Sequence, residues 1–255
     1  MNLIDTHCHL YSEEFDADRD AMIQRALDKG VSRFYLPAID SDAIPGMLDL
    51  EARYPGVCIA MMGLHPCYVK ANYREELAIV EEWLAKRPFV AVGEIGLDFY
   101  WDRTFASEQL EAFNLQMQWA LNRNLPIVIH TRKAMSETLA AVKPFAAKGL
   151  RGIFHCFSGS AQDATQIVKM GFYLGIGGVV TYKNAGLPDA LAGIDSEYLV
   201  LETDAPYLSP VPYRGKRNES SYLELILNRL AEVKNLSPAE MAAITTANAQ
   251  KIFGC

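Results

Sequence analysis

The chain alternates short apolar runs with longer amphipathic stretches along its whole length. The runs are rich in Val, Ile, Tyr and Phe and are nearly continuous in apolar character, which is typical of parallel strands covered by helices. A half-exposed antiparallel sheet would alternate apolar and polar residues more strictly. The pattern predicts eight strands: Leu3–Thr6, Arg33–Ala38, Val57–Gly63, Phe89–Glu94, Pro126–His130, Arg151–His155, Phe172–Ile176 and Tyr198–Glu202.

Three of the intervening stretches carry signals of helix ends. Asp18–Lys29 is followed by Gly30, which suits the position after a helix. Ser107–Asn122 starts with a capping serine and places Leu110 with other large residues on one apolar face. Ser237–Glu240 combines a capping box with a proline at the first helical position, so a closing helix is predicted there.

Eight strand–helix alternations predict an α/β fold, a single closed (β/α)8 barrel of the TIM type that spans residues 1–255 as one domain. An open doubly wound sheet is the alternative, but no Gly-x-Gly-x-x-Gly follows the first strand. No low-complexity linker or shift in composition divides the chain.

Composition and charge narrow the class of protein. Half of the 255 residues are hydrophobic and 22% are charged, which excludes wholesale disorder. The apolar runs are far shorter than the ~18 residues of a membrane span and the start lacks the features of a signal peptide, so we expect a soluble protein. Five scattered cysteines without a Cys-x-x-Cys pair favour a reducing cytoplasm. The net charge of −7 means that a phosphate-bearing substrate must be bound by local basic groups.

All five histidines sit at or just past the carboxyl ends of predicted strands. His7 and His9 follow the first strand, and His65, His130 and His155 belong to three others. One such histidine would be an ordinary core or turn residue, but five of them at the rim where barrel enzymes carry their active sites indicate a functional site. His7 and His9 are two residues apart, so both imidazoles can face one metal ion.

Carboxylates join the histidines at the same rim. Glu94 ends a run that should be buried, where an unpaired carboxylate is costly, and Asp204 follows the eighth strand. Asp5 shares the face of the two histidines and is predicted to accept a hydrogen bond from an imidazole N–H. Glu202 shares the inward face of the eighth strand with Asp204 and is predicted to lie behind the metal ligands. The set supplies enough ligands for two divalent metals, with Glu94 as the natural bridge.

Two such metals predict hydrolytic chemistry. Metals ~3.5–4 Å apart can share a hydroxide as nucleophile and stabilise the charge that develops on oxygen. Nitrogen-rich ligation favours zinc, manganese or iron over magnesium, although activation in an assay need not follow that preference. We therefore expect two divalent ions as cofactor, with zinc, manganese and magnesium as the candidates.

Six motifs occur in order along almost the whole chain: Ile4–His9, Gly93–Phe99, Ile129–Arg132, His155–Gly159, Leu201–Leu208 and Arg214–Glu219. Together they resemble the TatD family of metal-dependent hydrolases, within the amidohydrolase-like barrel superfamily, and six ordered motifs are far more specific than one. One departure is Ser220, where a proline is expected after Asn-Glu.

The resemblance implies a metal-dependent deoxyribonuclease that acts as a 3′-to-5′ exonuclease. It implies one metal on His7, His9, Glu94 and Asp204, and the other on Glu94, His130 and His155. It also implies that Asp204 takes the proton from the attacking water as general base, so that Asp204 and Glu94 are the catalytic pair.

Substrate phosphate should be bound by groups other than the ligands. The densest basic cluster, Arg214, Lys216 and Arg217, follows the eighth strand, and arginines can hold phosphate oxygens in pairs. Arg132 and His65 are further candidates at the rim. Four aromatic residues beyond the third and fourth strands could stack on unpaired bases, which would favour single-stranded DNA ends: Tyr68, Tyr73, Tyr100 and Trp101.

Two other functions stay open. The same metals could cleave an ester or amide, as in a D-aminoacyl-tRNA deacylase or another amidohydrolase. A barrel that has lost catalysis could also serve as a binding module, against which the presence of Glu94 and Asp204 weighs. We expect DNA as the partner, with no membrane association and no obligate protein partner.

Overall fold

The computed structural model describes residues 1–254, in which parallel strands alternate with helices along the chain. The strands are β1 (Leu3–Asp5), β2 (Val31–Pro37), β3 (Cys58–Met61), β4 (Val92–Asp98), β5 (Ile127–Arg132), β6 (Gly152–Phe154), β7 (Tyr173–Ile176) and β8 (Leu199–Leu201). The helices are α1 (Arg19–Asp28), α2 (Ile44–Arg53), α3 (Tyr73–Lys86), α4 (Ala106–Asn122), α5 (Met135–Ala146), α6 (Ala161–Lys169), α7 (Leu187–Leu191), α8 (Leu223–Lys234) and α9 (Pro238–Phe253).

Backbone hydrogen bonds join the strands in sequence order. β1–β3 form one parallel sheet and β4–β8 a second. At one junction the Gly93 N–H donates to the Met62 carbonyl at 3.0 Å, and at the other the Thr6 N–H donates to the Leu201 carbonyl at 3.0 Å. The predicted α/β fold is confirmed, and these bonds connect the two sheets into the ring of a (β/α)8 barrel.

The interior of the barrel is apolar at one end. Ile4, Tyr35 and Val128 belong to a buried cluster with residues of α9, and Phe253 stacks on Tyr35 with ring centroids 3.9 Å apart. A larger apolar cluster fills the layer between the strands and the surrounding helices. Since α9 closes this end, the polar residues that come later on each strand are left at the opposite, carboxyl end.

Two of the predicted helix ends are confirmed. Ser237 Oγ accepts from the Glu240 N–H, and the Glu240 carboxylate accepts from the Ser237 N–H, which makes the expected capping box of α9. Gly30 follows the end of α1 with a φ of +88°, a conformation that costs glycine nothing. The ends of these helices are therefore encoded locally.

The prediction for α4 is wrong in two details. The helix begins at Ala106, so Ser107 lies inside it and does not cap it, and Leu110 is exposed. The buried face instead includes Gln109 and Gln116, whose side-chain amides hydrogen-bond to the backbone of neighbouring segments. A prediction that treats only apolar residues as buried misses a helix face that contains glutamines whose amides are hydrogen-bonded.

The fourth strand is displaced along the chain from its predicted position. Phe89 is buried before the strand starts, with the Arg87 guanidinium 4.5 Å from its ring centroid, and strand pairing begins only at Val92. The apolar run therefore includes residues outside the sheet. As a result, Glu94 lies within β4 and Asp98 at its end.

The cysteines described by the structure are Cys8, Cys58, Cys67 and Cys156, all free thiols, and Cys255 lies outside the described residues. Burial raises the pKa of both Cys58 and Cys67 to about 12, so both remain protonated at neutral pH. None of the helices within residues 1–254 has the length and apolar character needed to cross a membrane.

Candidate metal centre

The carboxyl ends of the strands bring five buried side chains together beneath a cavity of about 790 Å³: His7, His9, Glu94, His155 and Asp204. His7 Nε2 lies 3.1 Å from Glu94 Oε2 and 3.3 Å from His9 Nε2. Asp204 Oδ1 lies 3.6 Å from His9 Nε2 and 3.7 Å from His155 Nε2. The structure thus brings together residues that the sequence places almost at opposite ends of the chain.

Backbone bonds between the ends of β1 and β8 fix the relative positions of these ligand candidates. The Asp204 N–H donates to the His7 carbonyl at 2.9 Å, and the His9 N–H donates to the Ala205 carbonyl at 2.7 Å. Asp204 has a φ of +59°, a left-handed conformation that costs roughly 1 kcal/mol or more in a non-glycine residue. The surrounding bonds hold the carboxylate in this conformation, aimed at the histidines.

The orientation of the His9 ring follows from its contact with Tyr11. The Tyr11 hydroxyl donates to the Pro37 carbonyl at 2.5 Å, so its oxygen is left to accept from His9 Nδ1 at 3.0 Å. In the neutral ring the lone pair is then on Nε2, which faces Glu94 and Asp204. Tyr11 is a functional residue that the sequence analysis missed.

Glu202 lies beside His155. His155 Nδ1 lies 3.0 Å from Glu202 Oε1, while Nε2 faces Glu94 and Asp204. A Cβ at Gly175 would lie 2.1 Å from Glu202 Oε2, so only glycine leaves room for the carboxylate. The neutral ring therefore carries its hydrogen on Nδ1 and its lone pair toward the site.

His130 lies between two carboxylates of β4. Its Nδ1 is 2.9 Å from Glu94 Oε1 and its Nε2 is 2.8 Å from Asp98 Oδ2. A Cβ at Gly96 would lie 1.9 Å from the His130 carbonyl oxygen, so glycine allows the close approach of β4 and β5 that makes both contacts. Asp98 was not among the predicted site residues because the predicted strand ended at Glu94. Its position in the Gly93–Phe99 motif was the available signal.

Imidazoles and carboxylates alternate within this buried arrangement. Burial alone would raise the pKa of Glu94, but the surrounding imidazoles, His65 and His7 foremost, hold it well below its ordinary value. His7 Nδ1 is buried without a hydrogen-bond partner. Within residues 1–254, four groups have ligand atoms close enough to hold a metal ion: His7, His155 and Asp204; His7, His9 and Glu94; His65, Glu94 and His130; His155, Cys156 and Glu202. Such clusters of nitrogen and carboxylate donors fit divalent cations.

Metal binding should release a proton from this centre. Burial alone would lower the pKa of His155, but Glu202, Glu94 and Asp204 raise it to about 10, so the metal-free imidazole is protonated at neutral pH. Because a ligand nitrogen must lose its proton, we expect the apparent metal affinity to increase about tenfold per pH unit between roughly pH 6 and 8. Calorimetric titration with Mn²⁺ in buffers of different ionisation enthalpy counts the released protons. Binding without proton release, at a pH-independent affinity, would contradict this charge state.

Asp5 supports the centre through a contact that differs from the predicted one. Its carboxylate accepts from the Thr203 hydroxyl at 2.6 Å, the Thr203 N–H at 2.9 Å and the Ser220 hydroxyl at 2.7 Å, and from no imidazole. Burial raises the pKa of Asp5 to about 6 in spite of these hydrogen bonds. Ser220 thus supplies a bond that the expected proline could not make, and the network ties β1 to the segment after β8.

Two of the predicted substrate contacts line the cavity, His65 and Arg132. The Arg132 guanidinium stacks 3.8 Å from the ring centroid of Tyr100 and lies 5.1 Å from that of Trp101. Tyr68 and Trp101 also line the cavity, whereas Tyr73 is buried at the start of α3. The structure therefore gathers cationic and aromatic groups at the mouth of the site.

The basic cluster after β8 is placed differently. None of Arg214, Lys216 and Arg217 lines the cavity. The Arg217 guanidinium is held by Asp18 through two hydrogen bonds of 2.7 and 2.9 Å, which leaves it engaged on the α1 side. The Arg214 guanidinium lies over the Tyr182 ring, 3.9 Å from its centroid. The sequence could not reveal that Asp18, 199 residues earlier, pairs with Arg217.

The fold and the metal-binding clusters, taken with the protein's relatives, define a metal-dependent hydrolase. The chain is 40% identical over 252 residues to the uncharacterized metal-dependent hydrolase YabD of Bacillus subtilis (strain 168), covering 98% of both chains. The family model described as TatD related DNase matches residues 4–254. The chain belongs to the TatD family, as the six motifs predict.

Other relatives extend the comparison. The chain is 34% identical over 257 residues to the 3′-5′ ssDNA/RNA exonuclease TatD of Cronobacter sakazakii (strain ATCC BAA-894), covering 98% of this chain and 97% of that one. The crystal structure of YJJV, a TatD homologue from Escherichia coli K12, superposes with a TM-score of 0.93 at 30% identity, covering 99% of this chain and 98% of that one. The agreement with YJJV covers essentially the whole barrel.

Proposed function

We propose that the protein hydrolyses phosphodiester bonds of DNA, as a 3′-to-5′ exonuclease, with two divalent metals bound at the carboxyl end of the barrel. The observation that carries this proposal is the position of Glu94. Its Oε2 lies 3.1 Å from His7, and its Oε1 lies 2.9 Å from His130. One carboxylate thus faces two separate sets of ligand candidates, as a bridge between two ions requires.

The contacts of Glu94 support the ligand sets that the family resemblance implies, since His7 and His9 face its Oε2 while His130 and His155 face its Oε1. One ion would be held by His7, His9, Glu94 and Asp204, and the other by Glu94, His130 and His155. Zinc, manganese and magnesium are the candidate ions. When bound, they would supply Lewis acidity to the phosphate and lower the pKa of the attacking water.

Two features of Asp204 support a role in proton transfer. Burial alone would raise the pKa of Asp204, but His155 and His9 lower it, so the carboxylate is ionised at neutral pH and can accept a proton. The residue also lines the cavity in which the substrate would lie. We therefore assign to Asp204 the role of general base for the attacking water.

The mouth of the cavity fits an unpaired nucleic-acid end. Arg132 makes no ion pair with any of the residues that the structure describes, so its guanidinium is available for a substrate phosphate. Trp101 is 71% exposed and Tyr68 is 41% exposed, and both line the same cavity, where they can stack on bases. Arg214 and Lys216 are candidates for phosphates farther along the strand. The name of the Cronobacter relative, with single-stranded DNA and RNA as its substrates, agrees with this proposal.

Chelation tests the proposal. We expect EDTA treatment to abolish the release of mononucleotides from the 3′ end of single-stranded DNA. Added Mn²⁺, Zn²⁺ or Mg²⁺ should restore it, because the nucleophile depends on the metals. The measurement is the stepwise shortening of 5′-labelled single- and double-stranded oligonucleotides, with residual metal determined by elemental analysis.

Two results would contradict the proposal. One is undiminished DNA cleavage after metal removal has been verified. The other is a metal-restored enzyme that cleaves a D-aminoacyl-tRNA ester in a parallel assay but leaves every DNA substrate intact, which would assign the same centre to ester hydrolysis.

A further inference from the structure

His65, one of the predicted substrate contacts, lies beside the proposed metal ligands. Its Nε2 is 3.3 Å from Glu94 Oε1, its ring centroid is 4.4 Å from that of His130, and its side chain is 11% exposed on the cavity wall. By distance alone, His65, Glu94 and His130 form one of the groups that could hold a metal ion. The location of the ring hydrogen decides between a ligand and a donor.

The hydrogen bond at Nδ1, the ring nitrogen of His65 that points away from Glu94, determines which nitrogen carries the hydrogen. His65 Nδ1 accepts a hydrogen bond of 3.1 Å from the Cys67 N–H. A backbone N–H can only donate, so Nδ1 carries the lone pair and the neutral ring carries its hydrogen on Nε2. A neutral ring that binds a metal through Nε2 must carry its hydrogen on Nδ1. That N–H would then point at the Cys67 N–H, and two donors cannot form a hydrogen bond with each other.

Local structure makes this orientation obligatory. His65 is the N-cap of a short 3-10 helix, Pro66–Tyr68, and its own N–H donates to the Ile39 carbonyl at 2.9 Å. Since Pro66 has no N–H, the Cys67 N–H is the first free donor at the start of this helix. The ring of His65 is the group that satisfies it.

The other oriented histidines have the opposite polarity. His9 Nδ1 faces the hydroxyl oxygen of Tyr11, His130 Nε2 faces the Asp98 carboxylate, and His155 Nδ1 faces the Glu202 carboxylate. In each of these three, the outer nitrogen faces an acceptor and the inner one is free to bind a cation. His65 alone among the four has a donor behind it and presents an N–H to the centre.

We propose that His65 is not a metal ligand and that its Nε2–H donates a hydrogen bond to a non-bridging phosphate oxygen of the substrate. This inference rests on the proposed function, since it takes a phosphodiester as the substrate. The 3.3 Å contact of His65 with Glu94 is longer than the 2.9 Å contact of His130 with the same oxygen. The N–H is therefore available to a phosphate oxygen in the cavity, which is a strong charged acceptor.

Three substitutions separate a donor from a ligand. His65→Gln keeps an N–H near the position of Nε2, His65→Leu removes it, and His130→Gln is the matched control at a proposed ligand. We expect both His65 variants to retain the wild-type content of Mn²⁺ and His130→Gln to lose bound metal. We expect His65→Leu to bind inorganic phosphate about 10- to 100-fold more weakly in the metal-loaded protein, and His65→Gln to recover most of this loss.

The readouts are elemental analysis, calorimetric titration with inorganic phosphate, and kcat/KM on single-stranded DNA, each after thermal melting has verified the fold. Loss of metal from folded His65→Gln would make His65 a ligand and overturn the proposal. Unchanged phosphate affinity in folded His65→Leu would overturn it as well. If His65→Leu does not fold, His65→Asn replaces it, because the shorter amide does not reach the position of Nε2.

The phosphate titration also separates this inference from the proposed function. Weakened phosphate binding in His65→Leu, together with a wild-type enzyme that cleaves no DNA, would support the donor and reject the nuclease. DNA cleavage by the wild type, with equal phosphate affinity in all folded variants, would support the nuclease and reject His65 as a phosphate donor.

Discussion

Glu94→Ala is expected to remove most of the bound metal and to lower hydrolysis on the order of a thousandfold or more, because both proposed ions lose a ligand at once. The two oxygens of Glu94 lie 3.1 Å from His7 and 2.9 Å from His130, so the substitution removes a donor from both sets of ligand candidates. Elemental analysis and cleavage of single-stranded DNA measure the two effects. A variant that keeps two metals and wild-type activity would remove Glu94 from the bridging position.

A surface carboxylate provides the matched control for this prediction. Glu232 is exposed, and its carboxylate pairs with Arg229 in the same helix. Glu232→Ala should therefore retain the metal and the activity. Thermal melting of both variants, with and without Mn²⁺, separates loss of metal from loss of fold, since a bound ion stabilises only the variant that still binds it.

Asp204→Asn is expected to lower kcat by about 10²- to 10⁴-fold while losing less metal than Glu94→Ala. The amide keeps the shape of the carboxylate and an oxygen toward His9 and His155, but it cannot accept the proton of the attacking water. The measurements are kcat, KM and metal content over a range of pH. Near-wild-type kcat at full metal content would exclude Asp204 as the base.

Asp49→Asn is the control for this substitution. Asp49 is exposed on α2, and its carboxylate lies 3.8 Å from the Arg53 guanidinium. Asp49→Asn removes the same charge, but from a surface residue that is not part of the metal centre. The substitution should therefore leave kcat unchanged. A comparable loss in both variants would mean that the Asp204 effect reports net charge and not proton transfer.

The sequence located the residues of the candidate centre better than it located the contacts that orient them. His7, His9 and Asp204 could be found because strand ends are marked by apolar runs and because barrel strands all point their carboxyl ends to one rim. Tyr11 could not be found in this way, because its role depends on the Pro37 carbonyl, which only the folded barrel brings to it. Contacts between distant segments leave no local signal.

The position of Asp98 illustrates a second limit. The apolar run at the start of β4 contains core residues as well as strand residues, so the predicted strand ended at Glu94. It therefore left out Asp98, which contacts His130 from the end of β4. The two buried glutamines of α4 have a similar effect. Gln109 bonds to the backbone of Asp98 and Gln116 to that of Leu64, and a rule based on hydrophobicity treats both as solvent-facing.

The bonds between β1 and β8 also determine when the centre can form during synthesis. Asp5 and Thr203, 198 positions apart, share two hydrogen bonds, and the His7 carbonyl accepts from Asp204. A nascent chain that has emerged only as far as β7 carries all five histidines but lacks the segment that aligns them. The complete set of ligands is therefore assembled only after β8 has left the ribosome, so partial chains should bind metal weakly and nonproductively.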